Sequence, residues 1–203
     1  VVTLVCNAAI GFFLIRFLLD RLGEARYGVW LLVGGGVFHY GGLLSMGLSS
    51  SINRYIPVYL ARGDQEGFRR VVSVSLFFFS LIGVVLVIAT LVVYLNIGSW
   101  FAIEPELVGT AEALLLVVGL CFAAVMPLQL AMGVLSGVQR YDIMNLAILV
   151  PLIVRTVLIV VLLSRGYGLL TLGIIFGASE ITMRMLQTVF IRKWLPKRSF
   201  SIS

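Results

Sequence analysis

Apolar residues run along this chain in stretches of about twenty, and polar residues gather in short clusters between them. The stretches fall at about 1–19, 29–48, 71–95, 112–135, 143–163 and 169–190. A helix rises 1.5 Å per residue, so about 20 apolar residues cross a hydrocarbon core of roughly 30 Å. The pattern predicts an all-α, polytopic membrane protein with six transmembrane helices.

The polar clusters punctuate these stretches. A tight turn is expected over Leu22-Gly23-Glu24-Ala25-Arg26-Tyr27-Gly28, and Gly63 supplies a helix stop before Asp64, a helix start with Glu66 in its first turn. Beyond Leu48, the residues Ile52, Tyr55, Ile56, Tyr59 and Leu60 recur at helical spacing. The second helix is therefore expected to continue past the membrane with an apolar side on the interface, kinked at Pro57. The connection Asn96 to Ala111 offers Trp100 and Phe101 as interfacial anchors. Pro127 should bend the fourth helix and free a backbone carbonyl. Gly34-Gly35-Gly36, Gly41-Gly42 and the pair Gly133 and Gly137 are expected to let neighbouring helices approach closely.

Charge sets the orientation. Of the 15 Lys and Arg residues, Arg54, Arg62, Arg69, Arg70, Arg140, Arg192, Lys193, Lys197 and Arg198 fall on one side, against Arg16, Arg21, Arg26 and Arg165 on the other. Short cytoplasmic loops collect basic residues, so both ends of this segment are expected in the cytoplasm. Residues 191–203 read as a basic cytoplasmic tail or linker.

Composition agrees: 61% hydrophobic residues, 12% charged and a mean hydropathy of +1.11 exceed what one water-soluble core of 203 residues can hide. The net charge of +6 does not indicate nucleic acid, because the basic residues sit in short clusters rather than on one solvated face.

No catalytic, metal or cofactor chemistry is indicated. Cys6 and Cys121 lie apart inside apolar runs and read as packing residues. His39, the one histidine, reads as a neutral hydrogen-bonding residue. The glycine runs lack the strand and the Lys-Ser/Thr of a phosphate loop. The chain opens inside a hydrophobic helix with no Met and no basic leader, so the expectation is a fragment rather than a signal peptide.

Four charges lie within the stretches: Arg16, Arg155, Glu180 and Arg184. Arg16, near an interface, can snorkel to the headgroups or face an internal cavity. Arg155 is near the midplane, where lipid contact is penalised by roughly 2.5–3.5 kcal/mol on insertion scales. Glu180 and Arg184, four apart, share one helical face. Two readings stand: a structural ion pair locking the fifth and sixth helices, or a net positive site for an anion.

The run Leu22-Gly23-Glu24-Ala25-Arg26-Tyr27-Gly28-Val29-Trp30, with Leu44-Ser45-Met46-Gly47-Leu48, Arg54, Ala61-Arg62-Gly63-Asp64, Gly137-Val138-Gln139-Arg140-Tyr141-Asp142 and Gly166-Tyr167-Gly168-Leu169, resembles the N-terminal half of bacterial polysaccharide (O-antigen-type) flippases. These belong to the multidrug/oligosaccharidyl-lipid/polysaccharide exporter superfamily. The likeness covers nearly all of the chain in order and spacing, but departs at Ser45, where relatives often carry Asp.

The resemblance implies one six-helix lobe of a two-lobe transporter in the bacterial inner membrane, working by alternating access. It implies as substrate an undecaprenyl-diphosphate-linked oligosaccharide, bound by Arg16, Arg155, Glu180 and Arg184, since guanidinium suits a diphosphate. Membrane lipids and other polysaccharide-assembly membrane proteins are the partners it implies. A lipid-linked peptidoglycan-precursor flippase or a cation-coupled multidrug exporter of the same fold is the alternative. A membrane polymerase or ligase would need acid-base or nucleophilic groups on an extended outer loop, and the longest such connection carries Glu104 and Glu106 without His, Lys or Arg.

Overall fold

A computed structural model describes residues 2–137 and 139–194, with side chains over 8–37, 47–136 and 139–191. The elements are α1 (Val2–Leu22), α2 (Glu24–Trp30), a π-helical turn (Leu31–Gly35), α3 (Gly36–Ala61), α4 (Gln65–Trp100), α5 (Pro105–Val125), a 3-10 turn (Met126–Leu128), α6 (Gln129–Gly137), α7 (Tyr141–Ser164) and α8 (Leu169–Trp194). The π turn joins α2 to α3 and the 3-10 turn joins α5 to α6. Six helical rods result among the described residues, each overlapping one predicted stretch.

Four segments are long and apolar enough to cross a membrane: Gln65–Trp100, Pro105–Ser136, Tyr141–Ser164 and Leu169–Ile191, with mean hydropathies of 3.0, 2.4, 2.9 and 1.4. The lowest value reflects Glu180, Arg184 and Gln187 in α8. Large side chains face outward in stripes: Phe77, Val84, Ile88 and Leu95 on α4, and Leu146, Val150, Ile153, Val157 and Val161 on α7. Such stripes repeat every three to four residues, as one helix face requires. Water would not tolerate apolar faces this long, whereas lipid does. The protein is a multi-pass membrane protein.

Helix ends are closed by specific chemistry. Gly63 adopts φ +67°, its N–H donates to the Leu60 carbonyl, and the Asp64 N–H reaches back to Tyr59. This pair of bonds is a Schellman closure of α3. The Asp64 carboxylate then accepts from the Gly67 N–H at 2.8 Å and starts α4, as the sequence predicts. Asp64→Ala is expected to lower stability by about 1 kcal/mol and Asp64→Asn to change it little, read by thermal unfolding in detergent. Equal melting of all three proteins would remove the cap from the account.

The same closure ends α6, with Gln139 at φ +57°, and α7, with Gly166 at φ +88°. After Gln139, Arg140 grips Asp142 through Nε and Nη2 at 3.0 and 2.9 Å.

Several expectations change. The turn expected over 22–28 contracts to Gly23 alone, whose φ of +79° reverses the chain so that helix resumes at Glu24. The connection expected over 96–111 contracts to four residues, 101–104, because Pro105 stands at a helix start and needs no N–H partner there. Trp100 is exposed and Phe101 half-buried beside the core. The fourth rod does break at Pro127, as one 3-10 turn. Pro57 lies inside α3, which continues to Ala61. Helix α8 runs past the expected boundary at 190 to Trp194, and residues 195–203 lie outside the described part.

Of the face expected on the interface, Tyr55 is exposed, Tyr59 and Leu60 are half-buried, and two residues turn inward. Ile52 and Ile56 are buried with Phe68, Phe79, Val134 and Leu135. A Cβ on Gly133 would lie 2.5 Å from Ile52 Cγ2, so this glycine admits α3 against α6, as predicted. The Ser136 hydroxyl donates to the Asn53 side chain across the same contact. The Gly34-Gly35-Gly36 run does not bring helices together: a Cβ on Gly34 would meet only the Trp30 ring, and Gly35 and Gly36 face open space. These glycines sit where the helix loosens into its π turn. Gly41, Gly42, Gly137, Cys6 and the His39 side chain lie outside the described side chains, while Cys121 packs beside Gly177.

Two apolar layers cap the ends of the bundle. One gathers Leu18, Trp30, Ile97, Leu114, Ile159 and Leu172 at the Gly23 end, and the other surrounds Ile52 and Phe79 at the Gly63 end. The charges of α7 and α8 lie between them.

Candidate functional site

The sixth rod is apolar enough to enter a membrane yet places Glu180, Arg184 and Gln187 along one side, at intervals of four and three residues. They face α7 and α6, and Arg155 meets them from the middle of α7. Around Arg155, Glu180, Arg184, Met132, Pro151 and Ser179 lies a cavity of about 210 Å³.

Arg155 divides its guanidinium between two neighbours. Its Nη1 stands 3.7 Å from Glu180 Oε1, an ion contact longer than a hydrogen bond, and its Cζ lies 4.3 Å above the Phe176 ring. Its Nε is buried and has no hydrogen-bond partner. The exposures of the Arg155 and Glu180 side chains are 16% and 19%, so both are largely withdrawn from the surface.

Arg184 is more deeply placed, at 8% exposure. Its Nη1 donates to Gln187 Oε1 at 3.2 Å and approaches Met132 Sδ at 3.3 Å, both neutral groups. The i,i+4 geometry that would bring Glu180 to Arg184 is not used for an ion pair, because Arg155 occupies the carboxylate from the neighbouring helix. Arg184 Nε and Gln187 Nε2 are also buried without partners. One carboxylate thus stands against two guanidinium groups, and three buried nitrogen donors have no hydrogen-bond partner.

Of the sequence-predicted residues, Arg155, Glu180 and Arg184 come together here. Arg16 does not: it is exposed on α1 and does not line the cavity. Near a rod's end a long cation reaches polar surroundings unaided, which is the snorkelling alternative.

Sequence reasoning missed five contributors. Gln187 lies three residues beyond Arg184 and is fully buried, a polar residue in an apolar run that could have been noticed. Pro151 stands inside α7 and removes a helix N–H opposite the cavity. The Ser179 hydroxyl lies 3.5 Å from its carbonyl. Met132 and Phe176 carry no signal in the sequence, since apolar residues are everywhere around them.

Two guanidinium groups and one carboxylate therefore line a half-enclosed cavity in the middle of the helical bundle. The fold and the cavity thus define a polytopic helical membrane protein with an internal charged site. The MatE family model matches residues 4–161, most of the chain. This chain belongs to the MatE family of the multidrug/oligosaccharidyl-lipid/polysaccharide exporter superfamily, a family of membrane transporters. No curated protein and no solved structure matches it significantly.

Proposed function

We propose that this chain forms one lobe of a flippase that moves an undecaprenyl-diphosphate-linked oligosaccharide across the bacterial inner membrane by alternating access, with the Gly63 end in the cytoplasm. The observation that carries this reading is the excess of arginine over carboxylate in the cavity between α6, α7 and α8. A diphosphate supplies the negative charge that Glu180 alone does not provide to Arg155 and Arg184. Arg155 and Arg184 bind the head group, and Glu180 holds Arg155 in the cavity between transport events. Arg16 stands apart from these groups and contacts lipid headgroups or substrate near the interface.

A cation-coupled drug exporter would need surplus acids facing its path, and the sole acid in this cavity already faces a guanidinium. A peptidoglycan-precursor flippase would use the same arginines, because its lipid carrier also bears a diphosphate.

The test is a flipping assay with the full-length protein in proteoliposomes, using fluorescent undecaprenyl-diphosphate oligosaccharide. Flipping is expected for the parent, a large loss for Arg155→Leu, and a partial loss for Arg155→Lys, which keeps the charge without the fork. Export of a cationic dye with no flipping of the lipid would sink the proposal. So would undiminished flipping by well-inserted Arg155→Leu.

A further inference from the structure

Arg155 has a second partner that its ion pair with Glu180 does not explain. Phe176 and Glu180 are four residues apart on α8, so both face α7. The Arg155 Cζ sits 4.3 Å from the Phe176 ring centroid, well inside the range in which a ring face attracts a cation. The carboxylate, by contrast, is held at 3.7 Å, beyond hydrogen-bond length. An arginine free to choose in this setting would close onto a carboxylate through two parallel hydrogen bonds of about 2.7–2.9 Å. It does not do so here.

The ring itself has an aromatic neighbour. Trp30, buried at the last position of α2, packs on Phe176 with ring centroids 4.7 Å apart and planes inclined by 54°. Trp30 lies close over Gly34, where a Cβ would stand 3.1 Å from its six-membered ring. Trp30 therefore braces Phe176, and Phe176 bears on Arg155.

We propose that Phe176 is a positioning residue: packed on Trp30, its ring holds the Arg155 guanidinium off Glu180 and leaves part of the charge uncompensated for an anionic ligand. Without the ring face, Arg155 collapses onto Glu180 as a bidentate pair. Two donors are then satisfied internally, and an arriving diphosphate has to break that pair first. This inference rests on the proposed role of Arg155 as an anion-binding group.

The experiment replaces Phe176 in the full-length protein with phenylalanines carrying successively more ring fluorines. Fluorination withdraws charge from the ring face and leaves side-chain shape nearly unchanged, so a packing role would not respond to it. The readout is binding of undecaprenyl diphosphate by the detergent-purified protein, with melting followed in parallel. Affinity is expected to fall stepwise, reaching about tenfold at full fluorination, the scale set by loss of a desolvated cation–π contact. Phe176→Leu should match the fully fluorinated protein, and Phe176→Tyr should bind as the parent does.

Affinity that is flat or rising along the fluorine series overturns the inference, even if Phe176→Leu binds weakly, because packing alone would then explain that loss. Unchanged binding by Arg155→Leu overturns the anion-binding reading instead. The two failures are therefore separable.

Discussion

Replacing Gly83 with leucine is expected to destabilise the helix bundle by about 1–3 kcal/mol, the cost of forcing extra side-chain volume into a packed contact. A Cβ at this position would lie 2.9 Å from the Ala123 carbonyl oxygen and 3.5 Å from Met126 Cβ. The nearest atom belongs to the backbone, so no rotamer change relieves the clash and α4 must move away from α5. Leu86, Phe122, Ala123 and Met126 form the small core cluster beside it and would lose contact together. Two controls separate this from helix propensity. Gly109, with nothing within 4 Å of an added Cβ, should gain up to about 1 kcal/mol as alanine. At Gly173 the added Cβ meets the tip of Leu114, a flexible side chain that can turn aside, so Gly173→Ala should cost less than Gly83→Ala. Melting temperatures in detergent order the variants. A Gly83→Leu protein that melts with the parent would show that α4 and α5 are not held this closely.

Gly83 also marks where sequence reading stopped. The six apolar stretches could be found because lipid imposes one demand on every outward face, and about twenty predominantly apolar residues satisfy it. Helix stops at Gly63 and starts at Asp64 were legible for a similar reason, since each satisfies its backbone groups locally. Whether a glycine serves a neighbouring helix depends on what stands opposite. An added Cβ would meet Ile52 at Gly133 and Ala123 at Gly83 but nothing within 4 Å at Gly36, and spacing along one helix cannot distinguish them.

The same division runs through the site. Arg155, Glu180 and Arg184 were legible because charge within a membrane span is costly enough to demand a partner or a purpose. The pairing of Arg155 with Glu180 was legible as an ion pair locking the fifth and sixth helices, whereas i,i+4 geometry, which offers Arg184 to Glu180, did not show that Arg184 would turn to Gln187. Gln187 takes the place of a carboxylate beside Arg184, a neutral acceptor for a charged donor. That choice leaves the cavity positive.

Removing Glu180 alone is expected to be the most damaging single change in the cavity. In Glu180→Met, Arg155 and Arg184 face each other's charge with no anion between them, and losing one partner of a buried pair costs about 3–5 kcal/mol. The residual 16% and 19% exposure of the pair places the loss toward the lower end of that range, because water reaching the side chains screens part of the charge. Replacing Arg155 with leucine at the same time removes the stranded guanidinium together with its partner. The double variant should therefore recover most of the stability that Glu180→Met loses, since apolar residues of similar volume substitute well for buried ion pairs. Its export activity should not recover, because the anion-binding guanidinium is gone. Stability and transport are thus predicted to part company: low in both for Glu180→Met, near-parental stability with no export for the double variant. Membrane insertion, melting and lipid flipping measured on the same full-length proteins test this directly. A double variant that exports at the parental rate would reduce the pair to a structural lock between α7 and α8. If instead the double variant is as unstable as Glu180→Met, the charge imbalance is not what the carboxylate corrects.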